Sequence, residues 1–329
     1  MRPCVTSKVT SKRNIPTLDG WRALAILLVL WAHQGNAFYA TPEAYLQGGL
    51  FYFGTWGVPI FFGLSGLLIT RLLLDEHAQT GRIDLKSFYI RRSFRILPPL
   101  VVYLAVVSAL GLMQGGREVW SSIFFFRNYL PWQQGTWYSG HLWSLSVEEH
   151  FYLFWPALLV WAGTKRGWIP AVGLSLACAA WRLYMHAAPS DGRTEFRLDS
   201  LLLGAACAFA LPSARWLLAP GLLIAGILMD WQLGSALLIP VLITATMTHP
   251  EWLVSRALGW APLRWLGRIS YSLYLWQQLF LYPPWQPHPV LGLAQNFPWS
   301  LAATFTCAVA SYYLVERPMI QMGQRFRKI

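Results

Sequence analysis

The residues of this 329-residue chain best placed to do chemistry are a histidine and a carboxylate set inside apolar runs. His33 stands eleven positions after Arg22 in the run that opens Leu18-Asp19-Gly20-Trp21-Arg22. On a helix that spacing is about 16 Å, near or just past the middle of a hydrocarbon layer about 30 Å thick. An ionisable group at that depth is costly and marks a functional site or a buried pair. The plainer alternative is a histidine that hydrogen-bonds a neighbouring helix. Glu148 comes from the opposite direction, in the run His141-Leu142-Trp143-Ser144-Leu145-Ser146-Val147-Glu148-Glu149-His150. It lies about 10 Å below the start of that run, at a depth similar to His33. Ser65, in Gly63-Leu64-Ser65-Gly66, falls at about the same level.

A histidine that titrates near neutrality suits a general base, and a carboxylate at its level could hold the imidazole in one tautomer. Glu148 and Glu149 point about 100° apart on a helix, so they cannot face one partner. Ser144, four residues earlier, shares the Glu148 face. Glu148 is therefore assigned to the site and Glu149 to a structural hydrogen bond. The alternative is that both carboxylates pair with buried Arg or His and do no chemistry. A second concentration is Phe88-Tyr89-Ile90-Arg91-Arg92-Ser93-Phe94-Arg95. Its guanidinium forks suit phosphate oxygens, and they equally suit anionic lipid headgroups. Phe124 to Arg127 and the pair Arg197 and Asp199 are weaker candidates for acceptor contacts.

The elements that must position these groups are read from composition. Hydrophobic residues make up 55% of the chain, charged residues 12%, and mean hydropathy is +0.40. A soluble domain usually carries about 25% charged residues. The reading is an all-α, polytopic transmembrane bundle in one domain, with about ten spans: 20–39, 57–74, 97–113, 143–163, 168–187, 199–211, 216–229, 233–248, 265–282 and 298–315. With both termini cytoplasmic, that side receives 21 of the 26 Lys and Arg residues, the distribution expected of a membrane protein. The net charge of +12 therefore reflects helix ends against a bilayer, and nucleic acid is excluded as a partner. The polar N-terminal segment is not expected to be a cleavable signal. The four cysteines have no metal-ligand spacing, so neither a metal nor a disulfide is expected. Buried His, Glu and Arg in a helical bundle also fit a transporter or flippase.

Seven blocks in order resemble the acyltransferase-3 family of membrane acyltransferases. They are Leu18 to His33 with its Arg-x10-His spacing, Phe61 to Thr70, Phe88 to Arg92, Trp143 to Glu149, Leu198 to Gly204, Gly267 to Trp276 and Val315 to Pro318. The resemblance implies a ten-helix bundle that takes an acyl group, often acetyl, from cytoplasmic acyl-coenzyme A. The acceptor would be a hydroxyl of a glycan at the outer face of a bacterial inner membrane, or in some members a macrolide-like small molecule. No tightly bound cofactor is implied. Trp21 stands where Leu is commoner, and Gln277 where many members carry His. The chain is expected to lack the esterase-like extracytoplasmic domain fused to some relatives.

On this reading His33 is the base, or a transient acyl carrier, and Glu148 orients it. Arg22, Arg91, Arg92 and Tyr89 would hold the donor. Ser65, Ser144, Glu149, Asp199 and Tyr274 are candidates to line the site.

Overall fold

The computed structural model describes residues 15–35, 51–188, 190–210, 231–283 and 290–326. All regular structure among them is helical. The expected span at 216–229 lies outside the described residues.

Helix α1 (Pro16–Gly35) carries Arg22 and His33. Helix α2 (Gly57–Thr80) ends at Gly81, whose φ of +74° allows its N–H to reach back to the His77 carbonyl at 2.8 Å. A left-handed residue of this kind is a common helix stop, and glycine adopts it without a Cβ penalty. Helix α3 (Leu85–Ala109) begins about twelve residues before the span expected at 97–113. The reason is a cap: the Asp84 carboxylate accepts from the Ser87 N–H at 3.0 Å and from the Ser87 hydroxyl at 2.7 Å. The basic run at 88–95, which precedes the expected span, is therefore part of this helix.

After α3 comes a short helix, α4 (Gly116–Ile123), within a structured connection. Helices α5 (Leu142–Ala162), α6 (Trp168–Tyr184), α7 (Thr194–Ala210) and α8 (Trp231–Thr248) follow. The expected span at 265–282 is two helices, α9 (Ala261–Arg268) and α10 (Ser270–Phe280), broken at Ile269. The final segment runs through α11 (Trp299–Ser311), a π-helical turn at Tyr312–Glu316, and α12 (Arg317–Gln324).

Two of these, at 54–80 and 85–109, are long and apolar enough to cross a bilayer by length and hydropathy. That is fewer than the ten-span expectation. Helices α1 and α5 carry the polar residues just discussed, which lower their mean hydropathy, and α10, at 11 residues, is only about 16 Å long.

Small residues set the closest helix contacts. A Cβ on Gly66 of α2 would fall 1.9 Å from the Leu201 carbonyl of α7, and one on Gly204 would fall 2.4 Å from the Gly63 carbonyl. The backbones can approach this closely only because those side chains are missing. This packing fixes Ser65, which lies between Gly63 and Gly66, against the centre of the bundle. Phe62, Phe88, Leu100, Tyr103, Phe151 and Trp155 fill the main core around it.

Candidate active site

A cavity of about 90 Å³ opens between α1, α2, α3, α5 and α10. On its wall Glu148 of α5 accepts a hydrogen bond from the Ser65 hydroxyl of α2 at 2.8 Å. Ser65 in turn accepts from the Tyr152 hydroxyl at 2.9 Å. The Arg92 guanidinium lies over the Tyr152 ring, 4.4 Å from its centroid, and Arg22 and Arg95 line the same space. Three guanidinium groups thus face a cavity whose lining holds one carboxylate. That excess of positive charge suits an anionic group such as phosphate. Arg22 is steadied by Asp19 one turn earlier, at 3.2 Å.

Tyr274 of α10 closes the opposite end of the cavity. Its hydroxyl donates to the His141 carbonyl at 2.6 Å, so the Ser144 hydroxyl at 2.7 Å donates to it. Beyond Tyr274 lies a second polar group. The His33 ring meets the Trp137 ring edge-on, with centroids 5.6 Å apart. Gln277 lies beside His33 without a well-formed hydrogen bond to it, and the His141 imidazole is close enough to interact electrostatically. His141 is held by Gln278, which bonds both its Nδ1 and, at 2.7 Å, its backbone N–H. Nδ1 of His33, Nε2 of His141 and both amide atoms of Gln277 are buried with no hydrogen-bond partner. Buried polar atoms are rarely left so, and four together mark a place built to meet another polar group.

Of the sequence candidates, the cavity gathers Arg22, Arg92, Ser65, Ser144, Glu148 and Tyr274. His33 is not among its lining. The expected contact in which Glu148 orients His33 is not made, because Glu148 is held by Ser65, and Tyr274 and Ser144 stand on the way to the histidine. Arg91 points elsewhere, 3.7 Å from Glu76. Tyr89 donates to the Leu153 carbonyl at 2.8 Å. Asp199 forms a buried ion pair with Arg182 at 2.6 Å. Glu149 lies near Arg92 outside the cavity lining, with Oε1 unpartnered.

Arg95, whose guanidinium the sequence marks as suited to phosphate but which is not in the expected donor set, belongs with Arg92, since i and i+3 share a helix face. Other residues were not singled out for the site. Glu316 is fully buried, accepts from Ser272 at 2.7 Å and lies near Arg95 and Arg22. The π turn that ends at Glu316 is a feature often found at functional sites. His141 and Gln278 had no signal beyond their residue types.

The sequence profile of the acyltransferase-3 family, described as an acyltransferase domain, matches residues 15–317. The peptidoglycan O-acetyltransferase OatA of Listeria monocytogenes is 30% identical over 95% of this chain and 57% of its own length. The putative peptidoglycan O-acetyltransferase YrhL of Bacillus subtilis is 30% identical over 97% of this chain and 57% of its own. A putative O-acetyltransferase of Staphylococcus aureus is 31% identical over 82% and 51%. The chain thus spans about half the length of these relatives. No solved structure matches it. With the profile covering nearly the whole chain, and the seven motif blocks lying within or just beside it, the chain belongs to the acyltransferase-3 family.

Proposed function

We propose that the chain is a multi-pass membrane O-acyltransferase that moves an acyl group, acetyl in the simplest case, from acyl-coenzyme A to a hydroxyl of a cell-wall-like glycan. The observation that carries this is the cavity where Arg22, Arg92 and Arg95 face the Ser65–Glu148 pair, with a polar column continuing through Tyr274 to His33. The donor phosphates sit on the arginines, and the thioester reaches inward. The peptidoglycan O-acetyltransferase activity named for the relatives supports a glycan acceptor.

The ten-span arrangement, with both termini in the cytoplasm of a bacterial inner membrane, belongs to the same proposal. Its support is an inside-out distribution of polarity. Asp19, Arg182, Asp199, Gln277 and Glu316 are buried, while Phe154, Trp161 and Leu176 are 68%, 82% and 62% exposed. Large apolar side chains on the outside suit lipid better than water.

In the reaction the acceptor oxygen attacks the thioester carbonyl carbon, a C–O bond forms and the C–S bond breaks. The hydroxyl proton passes to His33 and from there to the departing thiolate, which leaves as free coenzyme A. His33 lies about 16 Å along α1 from Arg22, so the donor's long arm must lie along the cavity. The same separation favours a second version, in which the imidazole carries the acyl group before the acceptor takes it. Both require His33.

The test is purified protein with radiolabelled acetyl-coenzyme A and soluble peptidoglycan fragments. Thiol release that needs both protein and acceptor is expected. Transport of label across vesicles with no ester product would point to the transporter reading instead.

A further inference from the structure

The structured connection between α3 and α5 folds into a second cavity of about 440 Å³, at the opposite end of α3 from Arg92. Its walls are aromatic rings and neutral polar side chains: Trp132, Trp137, Tyr138 and Tyr282 with Gln114, Gln133 and Thr136. Among the described residues the lining holds no charged side chain. Burial pushes the Tyr138 hydroxyl above its ordinary pKa, so it too stays neutral.

This pocket is built, and its hub is Glu118. One carboxylate oxygen of this buried residue accepts from the Gln114 N–H at 2.6 Å. The other accepts from the Thr136 N–H at 2.7 Å, the Thr136 hydroxyl at 2.8 Å and the Ser139 hydroxyl. One side chain therefore ties both rims together. Trp132 is 59% exposed yet fixed in orientation. The Arg127 guanidinium lies 5.4 Å from its ring centroid, and a Cβ on Gly140 would come within 3.1 Å of the ring. Tyr138 stacks on Tyr282 at 5.8 Å. The Trp137 indole N–H is held by the Gln278 carbonyl at 3.0 Å, and the same ring meets His33.

We infer that this pocket is the acceptor subsite and that it takes an uncharged pyranose ring of a saccharide. Flat aromatic faces match the apolar C–H faces of a sugar, and amide and hydroxyl side chains at the rim match its hydroxyls. A phosphate or carboxylate would need cations in the wall; the described lining has none, and Arg127 behind it is engaged by Ser139 and the Leu130 carbonyl. The volume is within the range of about 300–1,000 Å³ usual for small-molecule sites. Trp137 forms the wall shared with His33, so a ring seated here lies one indole away from the histidine. The inference rests on the proposed acyl transfer for its role, and on the pocket's own chemistry for its ligand.

The experiment has two arms. In the first, calorimetry measures binding of chitotriose and maltotriose to the detergent-purified full chain, with an oligogalacturonate as the anionic control. At least one neutral trisaccharide is expected to bind, with the anionic one weaker. Trp132→Ala should weaken binding about tenfold and Trp132→Phe less, because Phe keeps an apolar face. Trp132 is largely exposed, so neither change opens the core. In the second arm, Trp132→Ala should raise KM for the glycan acceptor about tenfold while KM for acetyl-coenzyme A is unchanged. No neutral saccharide binding to the wild type, or equal binding to Trp132→Ala, overturns the subsite. Saccharide binding that depends on Trp132 in a chain that transfers no acyl group would retain the pocket and remove the proposed reaction. Acyl transfer with an acceptor KM indifferent to Trp132 would do the reverse.

Discussion

Two clusters of buried ionisable groups lie on either side of the bundle, and they have been resolved in opposite ways. On α6 and α7, Arg182 and Asp199 meet at 2.6 Å. The same Arg182 nitrogen reaches the Phe196 carbonyl at 2.8 Å, and the other Asp199 oxygen accepts from the Ser200 N–H at 2.9 Å. Neither residue lines the arginine cavity or the cavity at the α3–α5 connection. On α1, α3 and α5 the charges surround an open space. Arg22, Arg92 and Arg95 line it with Glu148, while Glu149 and Glu316 nearby each keep a buried oxygen without a partner. Charges inside an apolar bundle cost free energy in both places. Cost alone therefore does not separate structure from function. What separates them is what the charges face. Arg182 and Asp199 face each other directly, whereas Arg22, Arg92 and Arg95 face an open cavity, with the His33 group beyond it.

The sharpest way to break this comparison is at His33. Gln keeps a hydrogen-bonding side chain but cannot take a proton or an acyl group. His33→Gln should lower acyl transfer by about 10²–10⁴-fold, the usual contribution of a general base, with melting temperature and acetyl-coenzyme A binding unchanged. Turnover at the wild-type rate would remove His33 from the mechanism and leave the search to Glu148 and Ser65.

The reverse outcome is expected at the closed pair. Asp199→Ala leaves Arg182 buried without its partner and should destabilise the fold by about 3–5 kcal/mol. Catalysis per folded molecule should be preserved, since neither residue lines the cavity. Thermal melting in detergent alongside rates normalised to folded protein would separate the two. A normal melting temperature with lost activity would move Asp199 into the site, where its sequence context had placed it as a candidate.

The sequence yielded helix order more readily than helix rotation. Apolar runs located α1, α5, α6 and α8 to within a few residues, and α2 by its start, because length and hydropathy are local properties. The rise per residue placed His33 and Glu148 at comparable heights. It could not say which way each side chain faces, and Tyr274 and Ser144 turn out to stand between their two neighbourhoods. The glycine-flanked Ser65 was legible as special, but its reason was not. Gly63 and Gly66 matter because α7 lies against them, a tertiary fact. The aromatic pocket was hidden for the same reason. Its hub, Glu118, binds backbone groups at 114 and 136 that are brought together only by the folded connection.

The smallest contrast is between two neighbouring arginines, and it turns on the start of α3. A loop at 88–95 would let Arg91 and Arg92 both reach a donor. A helix beginning at Leu85 separates them by about 100°, so that Arg92 and Arg95 face the cavity while Arg91 lies 3.7 Å from Glu76, partly exposed. Arg92→Ala should therefore raise KM for acetyl-coenzyme A by an amount equivalent to about 1.5–3 kcal/mol, the loss of a charge-assisted hydrogen bond. Lys at position 92 should restore only part of this, since an ammonium lacks the planar fork that fits phosphate. Arg91→Ala should change donor KM little and cost at most about 1 kcal/mol of stability, as partly exposed ion pairs do. Donor titrations of the three variants check the order. Equal donor defects at 91 and 92 would mean that α3 presents both guanidinium groups to the nucleotide, and would place the phosphates at the helix surface instead of inside the cavity.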